Sequence, residues 1–358
     1  MRIAVLTSTP LNPREGSGTY VSLANFRAGL EAWGHTVELR PLRTRTGFHT
    51  FDRWLYNAGV SVTPPRDADL VVGYDLDGFL WARRRGRQPF VVLLKGIIAD
   101  ELRNERGLVR ALLSVQARWE RRNTARADAV LVPSHYSAAV AQDVYGVPAS
   151  RIGVVPEAID LAAWQARLAA APRRPRAGPT VLAVGRTYAR KRFPDLLQAA
   201  ARLRSAIPGL RVRVVGKGPE WEALARLHAE LALDGTVTLL GDVTWEQLAE
   251  EYVNADCFCL PTVQEGFGIV FLEAMAAGLP VVACRAAAVP EVVREGETGV
   301  LVPPRDPPAL AGALAGLLRS PERARALGAA ARHRVADYAV ERVAQRFLDT
   351  VRSYCVLP

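Results

Sequence analysis

Short apolar runs without polar alternation recur along this chain, and they constrain its fold more than any other feature. In the first half they are RIAVLTS, HTVELRPL, ADLVVGYD, QPFVVLLKG and ADAVLVPS. Runs of this length that are rich in Val and Leu suit strands of a parallel sheet covered by helices on both faces. GTYVSLANFRAGLEAWG has the spacing of an amphipathic helix that ends at a glycine. Alternating strands and helices predict a doubly wound α/β fold.

The same alternation begins again in the second half of the 358-residue chain. The predicted strands there are TVLAVGR, RVRVVGKG, VTLLGD, DCFCLPT and PVVAC, each followed by a helical segment. Residues 166–179 are rich in Ala, Pro and Arg and predict a linker. We therefore expect one Rossmann-like domain over residues 1–165, a second over 180–338, and a final helix within 339–358.

Composition excludes several classes of protein. The apolar fraction of 49% and the charged fraction of 23% are those of an ordinary soluble globular chain. No apolar run is long enough to cross a bilayer, and the N-terminus lacks the apolar stretch of a signal peptide. Four cysteines without C-x-x-C spacing indicate reduced thiols, and therefore a cytoplasmic location.

Most of the formal net charge of +10 lies in one segment, residues 81–126, which holds twelve Lys and Arg against four acids. Leu108, Leu112, Val115 and Trp119 share one face of a helix predicted there. A basic amphipathic helix can lie on an anionic bilayer. The alternative is that the apolar face packs on the sheet and the arginines are solvated. No nucleic-acid-binding module accompanies the charge, so we expect no nucleic-acid partner.

The most informative loop follows the predicted strand at Cys257–Leu260. Glu265-Gly266-Phe267-Gly268 precedes a helix, and Glu273 follows Glu265 by eight residues. Two glycines let the backbone approach a ligand, and the free N–H groups at a helix start favour a phosphate or an oxyanion. The two carboxylates can hold the ends of one extended ligand. The alternative is a helix-terminal charge and a solvated helix face.

Two cations follow a further predicted strand. Arg186 stands just past the strand in VLAVGRTYARKRF, and Lys191 comes five residues later, before a helix. Two cations at a strand end can neutralise a diphosphate leaving group, whereas the alternative is a solvated basic run. Lys95, Lys191 and Lys217 are the only lysines among 46 basic residues. That bias favours positions where a compact ammonium is needed, although chance survival explains it equally well.

The segment EGFGIVFLEAMAAGLPVVA, with PEVV and ETGVLVPPRDP after it, resembles the signature of the family-4 retaining glycosyltransferases of the GT-B fold. The resemblance spans nearly the whole chain and is strongest over 180–305. It implies two Rossmann-like domains that face a cleft, with the C-terminal helix crossing back to the first domain. It also implies transfer of a hexose from a UDP- or GDP-sugar to an acceptor hydroxyl with retention, without a metal or other cofactor.

The resemblance also implies roles for the matching residues. Glu265 would hold the donor sugar, and Arg186 and Lys191 would hold the diphosphate; these are the catalytic candidates. Glu273 would hold the ribose hydroxyls. The donor-binding candidates are Gly16, Gly18, Lys217, Val243, Gly266, Phe267, Gly268, Ile269 and Glu273. The two N-terminal glycines lie in PREGSGTYV, which predicts a glycine loop between the first strand and the first helix, or simply a tight turn.

Lys95, Asp75 and Asp77 are candidates for the acceptor or sugar side. Lys95 stands where many family members carry a histidine near the donor sugar. Asp75-Leu76-Asp77 matches a metal motif of a different glycosyltransferase fold, but the predicted two-Rossmann architecture argues against a metal role. His49, in a predicted loop after the second strand, is a further candidate for acceptor contact or a plain surface residue.

The expected partners are a nucleotide sugar, an acceptor (a sugar, a lipid such as a cell-envelope glycan precursor, or another small molecule), and an anionic membrane surface contacted by residues 81–126. The rival functions are a nucleotide-sugar epimerase or sugar phosphorylase on the same fold, and a non-catalytic nucleotide-sugar-binding membrane adaptor. The joint presence of Glu265, Glu273, Arg186 and Lys191 favours catalysis.

Overall fold

The computed structural model describes residues 1–11, 13–42, 46–175 and 178–357, without the side chains of residues 13–17. The chain forms two compact units. Unit 1 consists of residues 1–158 together with 340–358, and unit 2 consists of residues 159–339. Each unit contains a parallel sheet of largely buried strands, which agrees with the predicted α/β fold.

In unit 1 the described strands form one sheet in the order β2-β1-β3-β4-β5-β6. They are β1 Arg2–Thr7, β2 Thr36–Pro41, β3 Leu70–Tyr74, β4 Phe90–Leu93, β5 Ala129–Val132 and β6 Ile152–Val154. The helices are α1 Pro13–Ala32, α2 His49–Val62, α3 Ile98–Glu101, α4 Gly107–Arg126, α5 His135–Tyr145 and α14 Val340–Arg352. Short 3₁₀ turns lie at Trp81–Arg83, Leu102–Asn104 and Ala149–Arg151.

In unit 2 the described strands form a second sheet in the order β12-β11-β10-β7-β8-β9. They are β7 Thr180–Val184, β8 Arg211–Val215, β9 Val237–Gly241, β10 Cys257–Leu260, β11 Val281–Cys284 and β12 Gly299–Val302. The helices are α6 Leu161–Ala170, α7 Phe193–Leu203, α8 Trp221–Glu230, α9 Trp245–Val253, α10 Ile269–Ala276, α11 Val289–Val292, α12 Pro307–Leu318 and α13 Pro321–Arg334. Short 3₁₀ turns lie at Ala189–Lys191 and Val335–Tyr338.

The last helix, α14, belongs to unit 1 although it follows unit 2 in the chain. Its fully buried Phe347 packs edge-on against Phe26 of α1, with ring centroids 4.8 Å apart. Gly29 lets the two helices approach closely, because a Cβ there would lie 2.5 Å from the Val340 carbonyl oxygen. The helix therefore returns to the first domain, as the resemblance implies.

The predicted linker over 166–179 differs from the structure at its N-terminal end. Residues 161–170 form α6, whose start is capped by Asp160, and the Ala163 N–H donates to that carboxylate at 2.9 Å. Trp164 in this helix is buried in the core of unit 2. Alanine is the strongest helix former, so this Ala-rich stretch folds as a helix before the Pro- and Arg-rich part begins. The division between the units lies at 158/159 rather than at 165.

The predicted glycine loop at Gly16 and Gly18 is wrong, because both residues lie inside α1, which begins at Pro13. A proline suits the first helical position, and a glycine costs a helix only about 1 kcal/mol, so three more turns of packed helix outweigh two glycines. His49 is likewise the first residue of α2 rather than part of a loop.

Replacing Phe347 by Ala is expected to lower the free energy of unfolding of unit 1 by about 3–5 kcal/mol, because the change removes a fully buried ring. Arg346→Ala, on the exposed side of the same helix, is the matched control and should change it by less than about 0.5 kcal/mol. Chemical denaturation, with hydrogen exchange to identify the unit that opens, measures both. Equal effects of the two changes would contradict the packing of α14 on unit 1.

Candidate functional site

Four neighbouring strands of unit 2 end where the predicted donor residues lie. The sheet places β10, β7, β8 and β9 side by side, and all their carboxyl ends share one edge. The residues that follow these strands are Glu265 after β10, Arg186 and Lys191 after β7, Lys217 after β8, and Val243 after β9. The topology therefore brings to one edge residues that are far apart in the sequence.

An ion pair joins the loops after β10 and β7. The Lys191 ammonium contacts Oε1 of Glu265, and these side chains are only 13% and 9% exposed. The backbones are also joined, because the Val263 N–H donates to the Arg190 carbonyl oxygen at 2.9 Å. The pair offers an ammonium to a phosphate oxygen and a carboxylate to a hydroxyl group. Sequence reasoning named both residues but missed their contact, because no local spacing relates positions 74 residues apart.

The basic run Arg190-Lys191-Arg192 is not a solvated stretch. Arg190 lies over the Tyr188 ring, with its guanidinium carbon 4.7 Å from the ring centroid, and Arg186 approaches the same ring at 5.7 Å. Arg192 is paired with Asp195 in the first turn of α7 at 2.5 Å. Each cation of this loop is therefore held by a partner, and Lys191 is the one held by Glu265.

The turn that precedes α10 depends on Gly268. Its φ is +96°, in the left-handed region, and a Cβ there would lie 2.6 Å from Cδ2 of Phe271. Phe267 is buried with its ring against Tyr338, so its side chain anchors the loop and only its backbone can face a ligand. Gly266 and Ile269 are partly exposed on either side of this turn, and Ile269 is the first residue of α10.

Lys217 and Val243 lie at the β8 and β9 end of the same edge. Lys217 is exposed, its N–H donates to Oδ1 of Asp242 at 2.9 Å, and its ammonium lies 5.1 Å from the centroid of the Trp221 ring. Val243 is partly buried against the core of unit 2. These contacts hold the two loops side by side and leave the Lys217 ammonium accessible.

Glu273 is buried in unit 2 beside α9. The Tyr252 hydroxyl donates to its Oε2 at 2.9 Å, and both side chains are buried. Burial raises the pKa of the Glu273 carboxyl to about 7, and the Tyr252 hydrogen bond acts in the opposite direction. Tyr252 stands on α9 and carries no sequence signal that relates it to Glu273, so sequence reasoning did not find it.

In unit 1, Lys95 is held in a buried ion pair. Its ammonium lies 3.0 Å from Oε1 of Glu157 and 5.4 Å from the centroid of the Tyr74 ring, and Ser22 donates its hydroxyl to Oε2 of Glu157 at 2.6 Å. Glu157 follows the three-residue strand β6, which is too short to give a sequence signal, and it was not predicted. The charge of Lys95 is therefore neutralised within unit 1.

Asp75 and Asp77 follow β3 at the carboxyl edge of unit 1, but they have different surroundings. Asp77 is fully buried and accepts from the Ser8 hydroxyl at 2.8 Å and from the Asn57 amide at 3.1 Å. Asp75 is partly exposed, has a φ of +53°, and accepts from the Lys95 N–H at 2.8 Å. Burial raises the pKa of Asp75 to about 6 and also raises that of Asp77. Asp77 therefore supports the edge, while Asp75 can meet a ligand.

The predicted apolar face of the basic segment divides in two. Trp119 stacks on Phe79, with ring centroids 5.3 Å apart, whereas Leu108 and Leu112 are 74% and 42% exposed. The expectation that the whole face packs on the sheet is therefore wrong for the first half of α4. The neighbouring α2 and the residue before it add further exposed apolar side chains, and those described on the two helices and at this cap are Phe48, Phe51, Trp54, Leu55, Val62, Leu108, Val109 and Leu112. None of the helices in the described ranges combines the length and the apolarity that crossing a bilayer requires.

Two parallel α/β units, with cations and carboxylates at the strand ends of the second, define a protein of the GT-B class. The N-terminal part, residues 16–163, matches the model of Glycosyltransferase Family 4, and residues 166–334 match that of Glycosyl transferases group 1. The chain belongs to the family-4, group 1 glycosyltransferases.

Individual proteins support this classification. A GDP-mannose-dependent alpha-(1-6)-phosphatidylinositol monomannoside mannosyltransferase of Mycolicibacterium smegmatis is 37% identical over 166 residues, so the matched part spans 44% of this chain and 44% of that relative. Sucrose-phosphate synthase from Thermosynechococcus elongatus has a TM-score of 0.79 at 23% identity over 98% of both chains. Anabaena HepE in complex with UDP and glucose has a TM-score of 0.75 at 20% identity, over 99% of this chain and 100% of that one. The two structures share the fold.

Replacing Glu157 by Gln is expected to lower the free energy of unfolding by about 3–5 kcal/mol, because it leaves the Lys95 ammonium buried without a counter-charge. Glu31→Gln breaks the exposed Arg27–Glu31 pair and is the matched control, with an expected change below about 1 kcal/mol. The double variant Lys95→Met/Glu157→Gln should recover part of the loss. Chemical denaturation measures all three, and a loss no larger than that of the control would contradict the buried pair.

Proposed function

We propose that this protein is a retaining hexosyltransferase that moves a sugar from a UDP- or GDP-sugar to an acceptor hydroxyl. The observation that carries the proposal is the meeting of Lys191 and Glu265 at one sheet edge, beside Arg186 and Lys217. A nucleotide sugar needs cations for its diphosphate and a carboxylate for its sugar hydroxyls, and this edge supplies both.

In the proposed reaction the bond between the anomeric carbon and the diphosphate oxygen breaks, and the acceptor oxygen bonds to the same face of that carbon. The acceptor proton passes to the departing diphosphate. Arg186 and Lys191 stabilise the charge that develops on the diphosphate, and Glu265 orients the sugar. The backbone of Gly266, Phe267, Gly268 and Ile269 faces the donor at the start of α10. No step requires a metal, and we propose a metal-independent enzyme.

We assign the acceptor to the carboxyl edge of the unit 1 sheet. Asp75 is partly exposed there, and its carboxylate can accept a hydrogen bond from an acceptor hydroxyl. Asp77 and Lys95 are engaged by partners inside unit 1 and hold this edge in shape. Gly16 and Gly18, in the first turns of α1, present backbone without side chains at the same edge.

The donor base is the first question for experiment. The name of the mycobacterial relative specifies GDP-mannose, whereas the HepE structure holds UDP and glucose. We expect one class of nucleotide sugar, screened as UDP-, GDP- and ADP-sugars with EDTA present, to raise the melting temperature and to be hydrolysed slowly. The proposal would be overturned if none of these nucleotide sugars raised the melting temperature and none was hydrolysed. A product sugar that appears only with acceptor and keeps its anomeric configuration by NMR excludes the epimerase, phosphorylase and adaptor alternatives.

Glu265→Gln should lower kcat by about 10²–10³ while folding normally, because the amide lacks the charge that holds the sugar and the ammonium. Lys191→Ala should weaken binding of the nucleoside diphosphate at least tenfold. Arg202→Ala, at an exposed position of α7, is the control and should leave turnover unchanged. Turnover and calorimetric binding measure these effects, and full activity of Glu265→Gln would refute its assignment.

We also propose that the protein works at the cytoplasmic surface of an anionic membrane, which suits a lipid-linked acceptor. Exposed apolar side chains lie on α2 and α4, α4 belongs to the basic segment 81–126, and this combination matches an anionic bilayer. The cysteines of the described chain form no disulfide, which fits a reducing compartment.

Vesicles that contain anionic phospholipid should co-sediment with the protein, and salt should weaken that binding. Replacing Leu108 and Leu112 together by Ser should reduce the bound fraction severalfold. Val356→Ser, which removes another exposed apolar side chain, should have no effect. Binding that is equal on neutral and anionic vesicles, or equal for the two variants, would exclude this surface.

A further inference from the structure

The environment of Glu273 is unusual for a residue assigned to a substrate. Its carboxyl is buried inside unit 2, and in the described structure it takes one side-chain hydrogen bond, from the Tyr252 hydroxyl to Oε2 at 2.9 Å. Tyr252 itself is fully buried. Its ring stacks on Phe258 with centroids 6.0 Å apart and meets Trp164 edge-on at 5.4 Å. A side chain packed on two sides has little rotational freedom, so the position of its hydroxyl is fixed.

The backbone of Glu273 is fixed as well. The Trp164 indole N–H donates to the Glu273 carbonyl oxygen at 3.1 Å, which joins α6 to α10. The ring of Trp164 also packs edge-on against the ring of Tyr252. Three elements, α6, α9 and α10, therefore define where the Glu273 carboxyl lies, and the Tyr252 hydrogen bond occupies one of its two oxygens.

The protonation state of this carboxyl decides what it can bind. A carboxylate accepts hydrogen bonds only, so with Oε2 occupied by Tyr252, Oε1 is the oxygen left to receive a hydroxyl of a vicinal diol. A neutral carboxylic acid keeps an acceptor oxygen, but the hydrogen bonds that it accepts lack the charge assistance that makes those of a carboxylate roughly twice as strong. Diol binding at this position is therefore favoured by the ionised form.

We propose that Tyr252 is a positioning residue that holds the Glu273 carboxylate for the ribose diol of the donor, and that donor binding is switched by protonation of Glu273. This inference rests on the proposed function, since it takes the donor to be a nucleotide sugar bound at the unit 2 edge.

The cations described on the helices around Glu273 contact other groups, so the proton equilibrium of its carboxyl is set by burial and by Tyr252. Burial raises its pKa to about 7, and the Tyr252 hydrogen bond lowers it by stabilising the charged form. The cations of neighbouring helices face other groups: Arg167 of α6 lies over the Trp245 ring, and Arg332 of α13 donates to the Ala277 carbonyl oxygen. Arg334 donates to the hydroxyl of Tyr338, which lies in the 3₁₀ turn packed against α10. Removing the Tyr252 hydroxyl should therefore raise the pH at which Glu273 ionises.

The test is calorimetric binding of UDP-glucose and GDP-mannose between pH 5.5 and 9. The diphosphate of neither sugar titrates in this range, and the uracil and guanine rings begin to ionise only at its upper end, so pH dependence around 7 reports the protein. For wild type we expect a midpoint near 7 and a Kd that rises by up to tenfold for each pH unit below it. Tyr252→Phe should move the midpoint up by about one pH unit and keep the affinity at pH 9 within about threefold. Glu273→Gln should bind weakly, with no midpoint near 7.

Tyr354→Phe removes the hydroxyl that donates to the Ile152 carbonyl oxygen at 2.8 Å in unit 1 and is the matched control. It should leave the midpoint where wild type has it. If Tyr252→Phe bound the donor at high pH with an unchanged midpoint, the inference would be overturned. The proposed donor site would still stand. If neither nucleotide sugar bound at any pH, that result would overturn both the proposed donor site and the inference.

Unfolding provides a second readout that needs no ligand. A carboxyl whose pKa is raised in the folded state binds its proton more tightly there than in the unfolded chain, so its contribution to stability falls as pH rises from about 4.5 to about 7. The unfolding constant of wild type relative to Glu273→Gln should therefore rise by up to tenfold per pH unit in that window and then level off. A ratio that is flat across the window would refute the switch.

Discussion

Parallel pairing of strands is the constraint on which the rest of this structure depends. Because every strand of a sheet runs in the same direction, all the loops after the strands open at one edge, and charged side chains in those loops meet there without being adjacent in sequence. Buried apolar runs fix the sheet, and the sheet in turn brings Lys191 to Glu265. The chemistry of the edge therefore follows from the hydrophobic pattern as much as from the charged residues themselves.

Sequence pattern was sufficient for the long, buried parts of the fold. The five strands predicted in each half are present, because short runs rich in β-branched Val favour strands, and pairing within the sheet satisfies their backbone groups. The pattern missed β6 and β12, which lie at sheet edges, because runs of three and four residues are too short to give a clear strand signal. It also placed the second half of α6 in a linker, because the Pro- and Arg-rich residues that follow this Ala-rich helix are typical of a linker.

The candidate site was predictable as a set of residues but not as a set of contacts. Glu265, Glu273, Arg186 and Lys191 stand in local motifs, so spacing and resemblance could find them. Glu157 and Tyr252 stand in no motif, so the sequence does not point to them. The structure identifies them because the buried Lys95 and Glu273 need polar partners, and the fold supplies these from elements remote in the sequence. Lys95 illustrates the difference: its position in the chain was identified from sequence, but its partner Glu157 was not.

The two glutamates of the signature show how one short motif yields two different carboxyl groups. Glu265 lies in a loop, where an ammonium can reach it, so its charge is balanced before any ligand arrives. Glu273 lies in the second turn of α10, where, among the side chains that the structure describes, the neutral Tyr252 hydroxyl donates to it and burial disfavours its charge. In the proposed donor complex a ligand competes with Lys191 for the first carboxylate, whereas the second binds a hydroxyl more strongly once it has lost its proton. Eight residues of spacing thus separate a carboxylate that is paired with an ammonium from one that is buried beside a neutral hydroxyl.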